Sequence, residues 1–134
     1  MIFDQAIIGV INEFEKVTRA KVKDCFLEDG ELVIVIMPGM MGLAVGTGGA
    51  NIKRFSAMAR KKINLIEFRN DPREFVEKLV YPVRPKEVRL EDDAVVVVAA
   101  TMVEKGKIFG REKTNLKRIQ KLVSKYFKLD VRLE

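Results

Sequence analysis

The stretch AVGTGGANIKRF, residues 44–55, carries three glycines in four positions and then two adjacent basic residues. Glycine costs more backbone entropy on folding than any other residue. A glycine cluster at the predicted start of a helix therefore indicates an unusual backbone shape or the close approach of another molecule. The apolar residues Val45 and Ile52 flank the cluster.

A second stretch, FGREKTNLKRI at residues 109–119, repeats this pattern later in the chain. Gly110 matches Gly46, and the Asn-aliphatic-Lys-Arg sequence of residues 51–54 recurs at 115–118. The Leu-Glu-Asp sequence of residues 27–29 likewise recurs at 90–92. An internal repeat is one structural unit used more than once. We therefore predict two halves, each in the order helix, strand, strand, helix, helix, strand.

The elements of the first half follow from apolar spacing and turn residues. A helix is predicted over residues 3–18, with an apolar face that consists of Phe3, Ile7, Ile11, Phe14 and Val17. Asp29-Gly30 between two apolar runs predicts a hairpin. A helix, the glycine break and a second helix then occupy residues 42–62, and a strand follows at 62–68.

The second half is predicted to begin after residue 70. Asp71 is suited to cap a helix that starts at Pro72. A second hairpin around Asp92-Asp93, a helical region and a closing strand complete the pattern. We predict a first module at residues 1–70 and a second at 71–134.

Composition narrows the class of function. The 134 residues carry a net charge of +6, from 25 Lys and Arg against 19 Asp and Glu, which favours polyanionic partners. The chain has no histidine, the commonest general base and metal ligand. With no nucleophile placed beside a base, we predict no enzyme, no catalytic residue, no metal and no cofactor.

Cysteine usage and hydropathy indicate the compartment. Cys25 is the only cysteine, so an internal disulfide is excluded and a reducing compartment is predicted. No apolar run approaches the ~20 residues that a membrane span requires. The first residues show neither a basic leader nor a small-residue cleavage site. We predict a cytoplasmic protein with no membrane partner.

Nucleotide-binding loops are the rival explanation for the glycines. The phosphate-binding pattern GxxxxGK[ST] fails because no Lys-Ser or Lys-Thr follows Gly48 or Gly49. The dinucleotide pattern GxGxxG fails because Asn51 stands where its last glycine belongs. A tight link between two short helices fits better, and such a link resembles the GxxG loop of the KH module.

The residues 45–52, VGTGGANI, look like the KH signature, and the element order resembles the type II arrangement. The tandem repeat resembles the twin KH region of NusA, and the whole chain resembles the archaeal NusA-like transcription termination proteins. The resemblance implies an α+β fold of two tandem type II KH modules. In each, the helices pack on one face of a three-stranded sheet.

The resemblance also implies a function and a site. It implies binding of single-stranded RNA in transcription termination or elongation, with RNA polymerase or other transcription factors as further partners. On the family's pattern the backbone clamp comprises Gly46, Thr47, Gly48 and Gly49, and the apolar groove positions are Val45 and Ile52. Lys53 and Arg54 lie one turn further along the helix, where they favour negative charge.

The second copy departs from the pattern because Lys113 replaces the last glycine. Two interpretations stay open. Arg111 and Lys113 contact phosphate through their side chains, although Glu112 opposes this; or this copy is chiefly structural. The RNA-binding candidates of this half are Gly110, Arg111, Lys113, Lys117 and Arg118.

Charge placement supports a polyanionic partner independently. Residues 46–62 contain five basic residues and no acidic one, and residues 105–128 contain nine basic residues and one acidic. A solvated basic face is the plain alternative. Phe55 and Phe109 are predicted to be core residues. Two other functions stay open: an RNA-binding factor of ribosome assembly or translation, and a protein-interaction module with a basic face.

Overall fold

A computed structural model of the chain describes residues 5–134. The chain folds into two compact units, of which the first ends at Phe68 and the second is Arg69–Glu134. Both units have the order helix, strand, strand, helix, helix, strand, so the predicted element order is confirmed. The module boundary between residues 70 and 71 stays a prediction.

The first unit contains one three-stranded sheet and three helices. Its elements are α1 (Gln5–Thr18), β1 (Val22–Glu28), β2 (Glu31–Ile36), α2 (Met41–Val45), α3 (Ala50–Ala59) and β3 (Ile63–Glu67). The central strand β2 pairs antiparallel with β1 and parallel with β3. A single 3-10 turn, Thr47–Gly49, separates α2 from α3.

The second unit repeats this topology. Its elements are α4 (Pro72–Val80), β4 (Glu87–Glu91), β5 (Ala94–Val98), α5 (Met102–Phe109), α6 (Thr114–Phe127) and β6 (Asp130–Leu133). The strand β5 pairs antiparallel with β4 and parallel with β6. A 3-10 turn, Arg111–Lys113, separates α5 from α6.

Turn chemistry sets the first hairpin. Glu28 pairs with Glu31 across a two-residue turn in which Asp29 has φ 50° and Gly30 has φ 78°. A two-residue turn with both φ values positive matches the twist of the flanking strands and favours Asp-Gly. The predicted hairpin is confirmed.

The core of the first unit lies between its helices and one face of the sheet. Leu32, Ile34 and Ile36 alternate along β2 and belong to one buried cluster with residues of α1, α2 and α3. Within this cluster the rings of Phe14 and Phe55 pack edge to face, with centroids 5.3 Å apart. The helices therefore cover a single face of the sheet, as predicted.

The apolar face of α1 differs from the prediction at one position. Val17 is 40 % exposed, whereas Val10 and Thr18 are buried. At 100° per residue, the face centred on Ile7 and Phe14 continues to Thr18 and leaves Val17 at its margin. Phe3 lies outside the described residues.

The start of the second unit is fixed by the predicted cap. Asp71 Oδ1 accepts a hydrogen bond of 2.9 Å from the backbone N–H of Arg73, and Pro72 occupies the first helical position. Phe75 of α4 is fully buried, and its ring centroid lies 5.8 Å from that of Tyr126. The helix α4 is thereby anchored to α6.

Two further features concern the kind of site that the fold offers. Across residues 5–134, no helix combines the length and the hydropathy that a bilayer crossing requires. In the same range, no group of three or more cysteine or carboxylate side chains is arranged to hold a metal ion.

Candidate nucleic-acid interface

The chain reverses direction between α2 and α3 through residues 46–49, here called the first loop. Gly46 has φ 76° and ψ 170°, Gly48 has φ 61° and ψ 21°, and Gly49 has φ 77° and ψ 18°. Residues with a side chain rarely adopt positive φ. The backbone of this loop therefore favours glycine at all three positions, most strongly at Gly46, whose ψ of 170° places it in a region that only glycine populates freely.

Gly46 has an additional, internal requirement. A Cβ atom at this position would lie 2.8 Å from Asn51 Nδ2 and 3.1 Å from the Asn51 backbone nitrogen. The same Nδ2 donates a hydrogen bond of 3.0 Å to the carbonyl oxygen of Leu43. The Asn51 side chain thus reaches back across the loop and ties the start of α3 to α2, and Gly46 provides the room.

Gly48 and Gly49 instead face open space. A Cβ atom at either position would meet no atom within 4 Å. Thr47 between them and Gly46 is exposed. The loop leads directly into α3, which carries no acidic residue in its first turn. A helix N-terminus presents N–H groups and partial positive charge, so this side of the loop favours an anion.

Apolar side chains border the loop. Val45 and Ile52 are half-buried, while Ala44 and Phe55, on the same two helices, are fully buried. The predicted core position of Phe55 is confirmed. The two half-buried residues leave part of their apolar surface accessible beside the glycines, which suits contact with an unstacked base.

The two cations of the first module that were predicted to bind RNA, Lys53 and Arg54, differ in their surroundings. Lys53 is exposed. Arg54 places Nη2 3.7 Å from Glu13 Oε1 of α1, and its guanidinium lies 5.3 Å from the Phe55 ring centroid. An exposed ion pair of this kind is weak. A ligand therefore competes with Glu13 for Arg54, whereas no described carboxylate is paired with Lys53.

The second loop, residues 110–113, keeps the backbone shape of the first. Gly110 has φ 76° and ψ 169°, Glu112 has φ 56° and ψ 34°, and Lys113 has φ 64° and ψ 15°. A Cβ atom on Gly110 would lie 2.7 Å from Asn115 Cγ. Asn115 Nδ2 donates a hydrogen bond of 3.1 Å to the carbonyl oxygen of Lys107. The Gly–Asn arrangement is therefore common to both modules.

The surface of the second loop is different. Arg111, Glu112 and Lys113 are all exposed, so a ligand meets side chains where the first loop offers bare backbone. Lys113 Nζ lies 5.9 Å from the Phe109 ring centroid. Phe109 is only half-buried, contrary to the prediction of a core residue, because Ile108 fills the buried position at the end of α5.

The remaining candidates lie on α6, with Lys117 exposed and Arg118 half-buried. Among the described residues, none of Lys53, Arg111, Lys113 and Lys117 takes part in an ion pair. These four cations are therefore available to a polyanion without displacing a carboxylate.

Several other arginines are neutralised within the fold. Hydrogen bonds from Arg73 lower the pKa of Asp71. On the second sheet, a hydrogen bond from Arg89 lowers the pKa of Glu91, and Arg132 also binds this carboxylate. The arginines of the strands β4 and β6 are thus paired with carboxylates, unlike the four cations at the two loops and on the helices that follow them.

Comparison with known proteins agrees with this geometry. The family described as "KH domain" matches residues 11–70. "Probable transcription termination protein NusA" of Methanocaldococcus jannaschii is 29% identical over 122 residues, which cover 89% of this chain and 67% of that protein. The same-named protein of Methanococcus vannielii is 33% identical over 111 residues, or 81% of this chain and 64% of that protein. Residues 11–70 therefore match the KH domain family, and the chain is similar over most of its length to archaeal NusA-like proteins.

The NusA-like chain thus spans about two thirds of the length of these two relatives, at 67% and 64%. A third relative, from Halobacterium salinarum, is 28% identical over 90% of this chain and 88% of its own. The crystal structure of APE1850 superposes with a TM-score of 0.78 and 24% identity, covering 95% of this chain and 96% of that one. The predicted fold of two tandem KH modules is confirmed.

The roles of two residues in the NusA-like fold escaped the sequence analysis. Asn51 and Asn115 close the two loops by side-chain hydrogen bonds, and neither was among the candidates. The signal was present, because the asparagine recurs in both copies while the glycines do not. A residue that persists where the glycines are lost indicates a structural role in the loop.

The second loop of the NusA-like chain gives a stability prediction. Lys113→Gly is expected to raise the free energy of unfolding by about 0.5–1 kcal/mol. The left-handed backbone costs a residue with a side chain about 1–2 kcal/mol, and relief of this strain is partly offset because glycine loses more backbone entropy on folding. Urea denaturation followed by circular dichroism measures the change. The matched control, Lys117→Gly inside α6, is expected to lower it by about 1 kcal/mol. If Lys113→Gly lowered the free energy of unfolding as much as the control does, the backbone at Lys113 would not be strained.

Proposed function

We propose that this NusA-like protein binds single-stranded RNA and that the first loop clamps the RNA backbone. The observation that carries the proposal is the open face at Gly48 and Gly49, where a Cβ atom would meet nothing within 4 Å. This face lies at the positive end of α3, whose exposed Lys53 forms no ion pair with any described residue. KH modules grip about four nucleotides through such a loop.

Each group of residues at the first loop has a proposed role that follows from its chemistry. Gly46, Thr47, Gly48 and Gly49 admit a phosphate to the backbone amides, and Lys53 and Arg54 supply charge. Val45 and Ile52 offer apolar surface to bases, which implies little sequence preference because apolar contact does not read base edges.

For the second loop we propose contact through side chains. Its backbone shape is that of the first loop, but Arg111 stands at the position of Thr47 and Lys113 at that of Gly49. Both are exposed and, like Lys117, unpaired among the described residues. A guanidinium and an ammonium bind phosphate without close backbone approach. This interpretation replaces a backbone clamp at Gly110 with two side-chain contacts, weakened by Glu112.

The proposed biological setting is transcription. The relatives are named as probable transcription termination proteins, which supports a role in termination or elongation, with RNA polymerase or other transcription factors as partners and the cytoplasm as location. The protein is proposed to act by binding and not by catalysis, since the site offers amides, cations and apolar surface, and the chain lacks histidine.

The setting is tested by the proteins and RNA that co-purify with the chain from native lysate, with and without nuclease. Recovery of RNA polymerase supports transcription. Recovery of ribosomal particles would move the protein to ribosome assembly or translation. A protein partner that survives nuclease, with no RNA bound at low salt, would favour an interaction module.

Salt dependence tests the binding mode. With about four phosphates engaged, a plot of the logarithm of the RNA association constant against the logarithm of the KCl concentration is expected to have a slope of about −2 to −3. A fourfold rise in KCl concentration therefore lowers the affinity by about 15- to 60-fold. Fluorescence anisotropy of a labelled single-stranded RNA measures this slope. An affinity that is independent of salt would contradict phosphate recognition.

A further inference from the structure

The second module contains a cleft that the loop site does not use. Its volume is ≈ 340 Å³, and it is lined by the end of α4, the segment that follows α4, the end of α5 and the first turns of α6. Val80, Ile108 and Ile119 line it and are 6 %, 3 % and 5 % exposed. The cleft therefore has an apolar, well-packed base.

An exposed aromatic ring stands at this cleft. Tyr81 lines it and is 72 % exposed. The residue begins the segment of residues 81–86 between α4 and β4, which is longer than the matching segment of residues 19–21 between α1 and β1. Pro82 and Pro85 restrict the backbone of this segment. An exposed, amphipathic ring on a restricted backbone is suited to stack on a planar ligand.

The charged residues of the cleft are all cations. Lys107 and Arg118 line it, and no acidic residue does. The first module lacks this combination. Leu43 stands at the position that matches Lys107. Arg54 matches Arg118, but its Nη2 lies 3.7 Å from Glu13 Oε1. The pair of cations that lines the cleft is thus not repeated at the matching positions of the first module, since Leu43 is apolar.

We propose that this cleft holds one nucleotide of the bound RNA, with its base against Tyr81 and its phosphate at Lys107 and Arg118. The apolar floor and the aromatic ring suit a nucleobase, and the two cations suit its phosphate. The volume of ≈ 340 Å³ lies at the small end of the range for ligand pockets. Asn115 lines the same cleft and also closes the second loop through its bond to Lys107. A strand at the second loop therefore has the cleft beside it. The proposal rests on the RNA binding proposed above.

Tyrosine fluorescence tests the proposal, because the chain has two tyrosines and no tryptophan. Tyr126→Phe leaves Tyr81 as the only tyrosine and keeps the ring that packs on Phe75. This variant is titrated with a single-stranded RNA of about 10 nucleotides, enough for two modules that take about four each. Separately, labelled RNA measures the affinities of Tyr81→Ala and of the control Leu90→Ala, an exposed apolar residue of β4 away from the cleft.

The expected results are quenching of Tyr81 fluorescence by the RNA and an affinity about 5- to 150-fold lower for Tyr81→Ala, the effect of losing one base–aromatic stack. Leu90→Ala is expected to bind as the wild type does. Uridine monophosphate at the same concentration is expected to quench far less than the RNA.

Three outcomes would overturn the assignment, and they are distinguishable. If RNA binds and first-loop variants weaken it, but Tyr81 is not quenched and Tyr81→Ala binds normally, the cleft is not an RNA site and the proposed function stands. If uridine monophosphate quenches as strongly as the RNA, the cleft takes free nucleotides. If no RNA binds even at low salt, the proposed function fails and this inference fails with it.

Discussion

Replacing Thr47 and Gly48 together by aspartate is expected to lower the affinity for single-stranded RNA by about 100-fold or more, since like charges brought together at an interface cost several kcal/mol. Both positions are exposed, and Gly48 faces open space, so the new carboxylates project toward the proposed phosphate path. Aspartate tolerates the left-handed backbone of Gly48 better than most residues. The affinity is measured with labelled RNA at low salt.

The matched control replaces the same two residues by asparagine. Asparagine has nearly the same shape and the same tolerance of positive φ, but no charge. This variant is expected to lose only a few-fold in affinity, and circular dichroism should show the same fold for both variants. Equal affinities of the aspartate and asparagine variants would mean that the first loop does not contact phosphate.

The second large effect concerns stability. Gly46→Ala is expected to lower the free energy of unfolding by about 3 kcal/mol, because φ 76° and ψ 170° lie in a region that only glycine populates freely, at a cost of about 1–3 kcal/mol. The new Cβ would also lie 2.8 Å from Asn51 Nδ2. Moving this side chain breaks its bond to the Leu43 carbonyl, which costs about 1 kcal/mol more.

Gly9→Ala is the control for this change. Gly9 lies inside α1, is exposed, and a Cβ atom there would meet nothing within 4 Å. The same substitution is expected to stabilise the protein by about 1 kcal/mol at this position. Urea denaturation of both variants gives the two values. A Gly46→Ala variant within about 0.5 kcal/mol of the wild type would show that the loop adapts without strain.

The features that the sequence predicted well are those set by local chemistry. Asp29-Gly30 has the residues of a positive-φ turn, and Asp71-Pro72 has those of a helix start, so both elements followed from two residues each. Because the sequence repeats, the element order predicted for the first unit also predicted that of the second. Such signals do not depend on the rest of the fold.

The features that the sequence did not predict depend on contacts between elements. Val17 has a helical spacing from Phe14, but only the packing of α1 on the sheet determines where the buried face ends. Phe109 is apolar, yet Ile108 takes the buried position. Hydrophobic periodicity defines a face to within about one residue on either side, so positions at its margin are not determined.

At the candidate site, too, the sequence predicted local features but not those that depend on contacts between elements. The glycine pattern predicted the first loop, but the shape of the second loop survives in Glu112 and Lys113, which no glycine pattern detects. The cause lies in the Gly110–Asn115 arrangement, which holds the loop from outside those two residues. The cleft at Tyr81 likewise requires three separate segments to converge.

The central claim is that the backbone of the first loop clamps RNA, and the amide signals of that loop report on it directly. In 15N–1H correlation spectra of the protein titrated with single-stranded RNA, the largest shifts are expected at the N–H groups of Thr47, Gly48, Gly49 and Ala50. The N–H groups of the second loop are expected to shift less, because its ligand meets side chains first. Unchanged amide signals in the first loop at saturating RNA would contradict the claim.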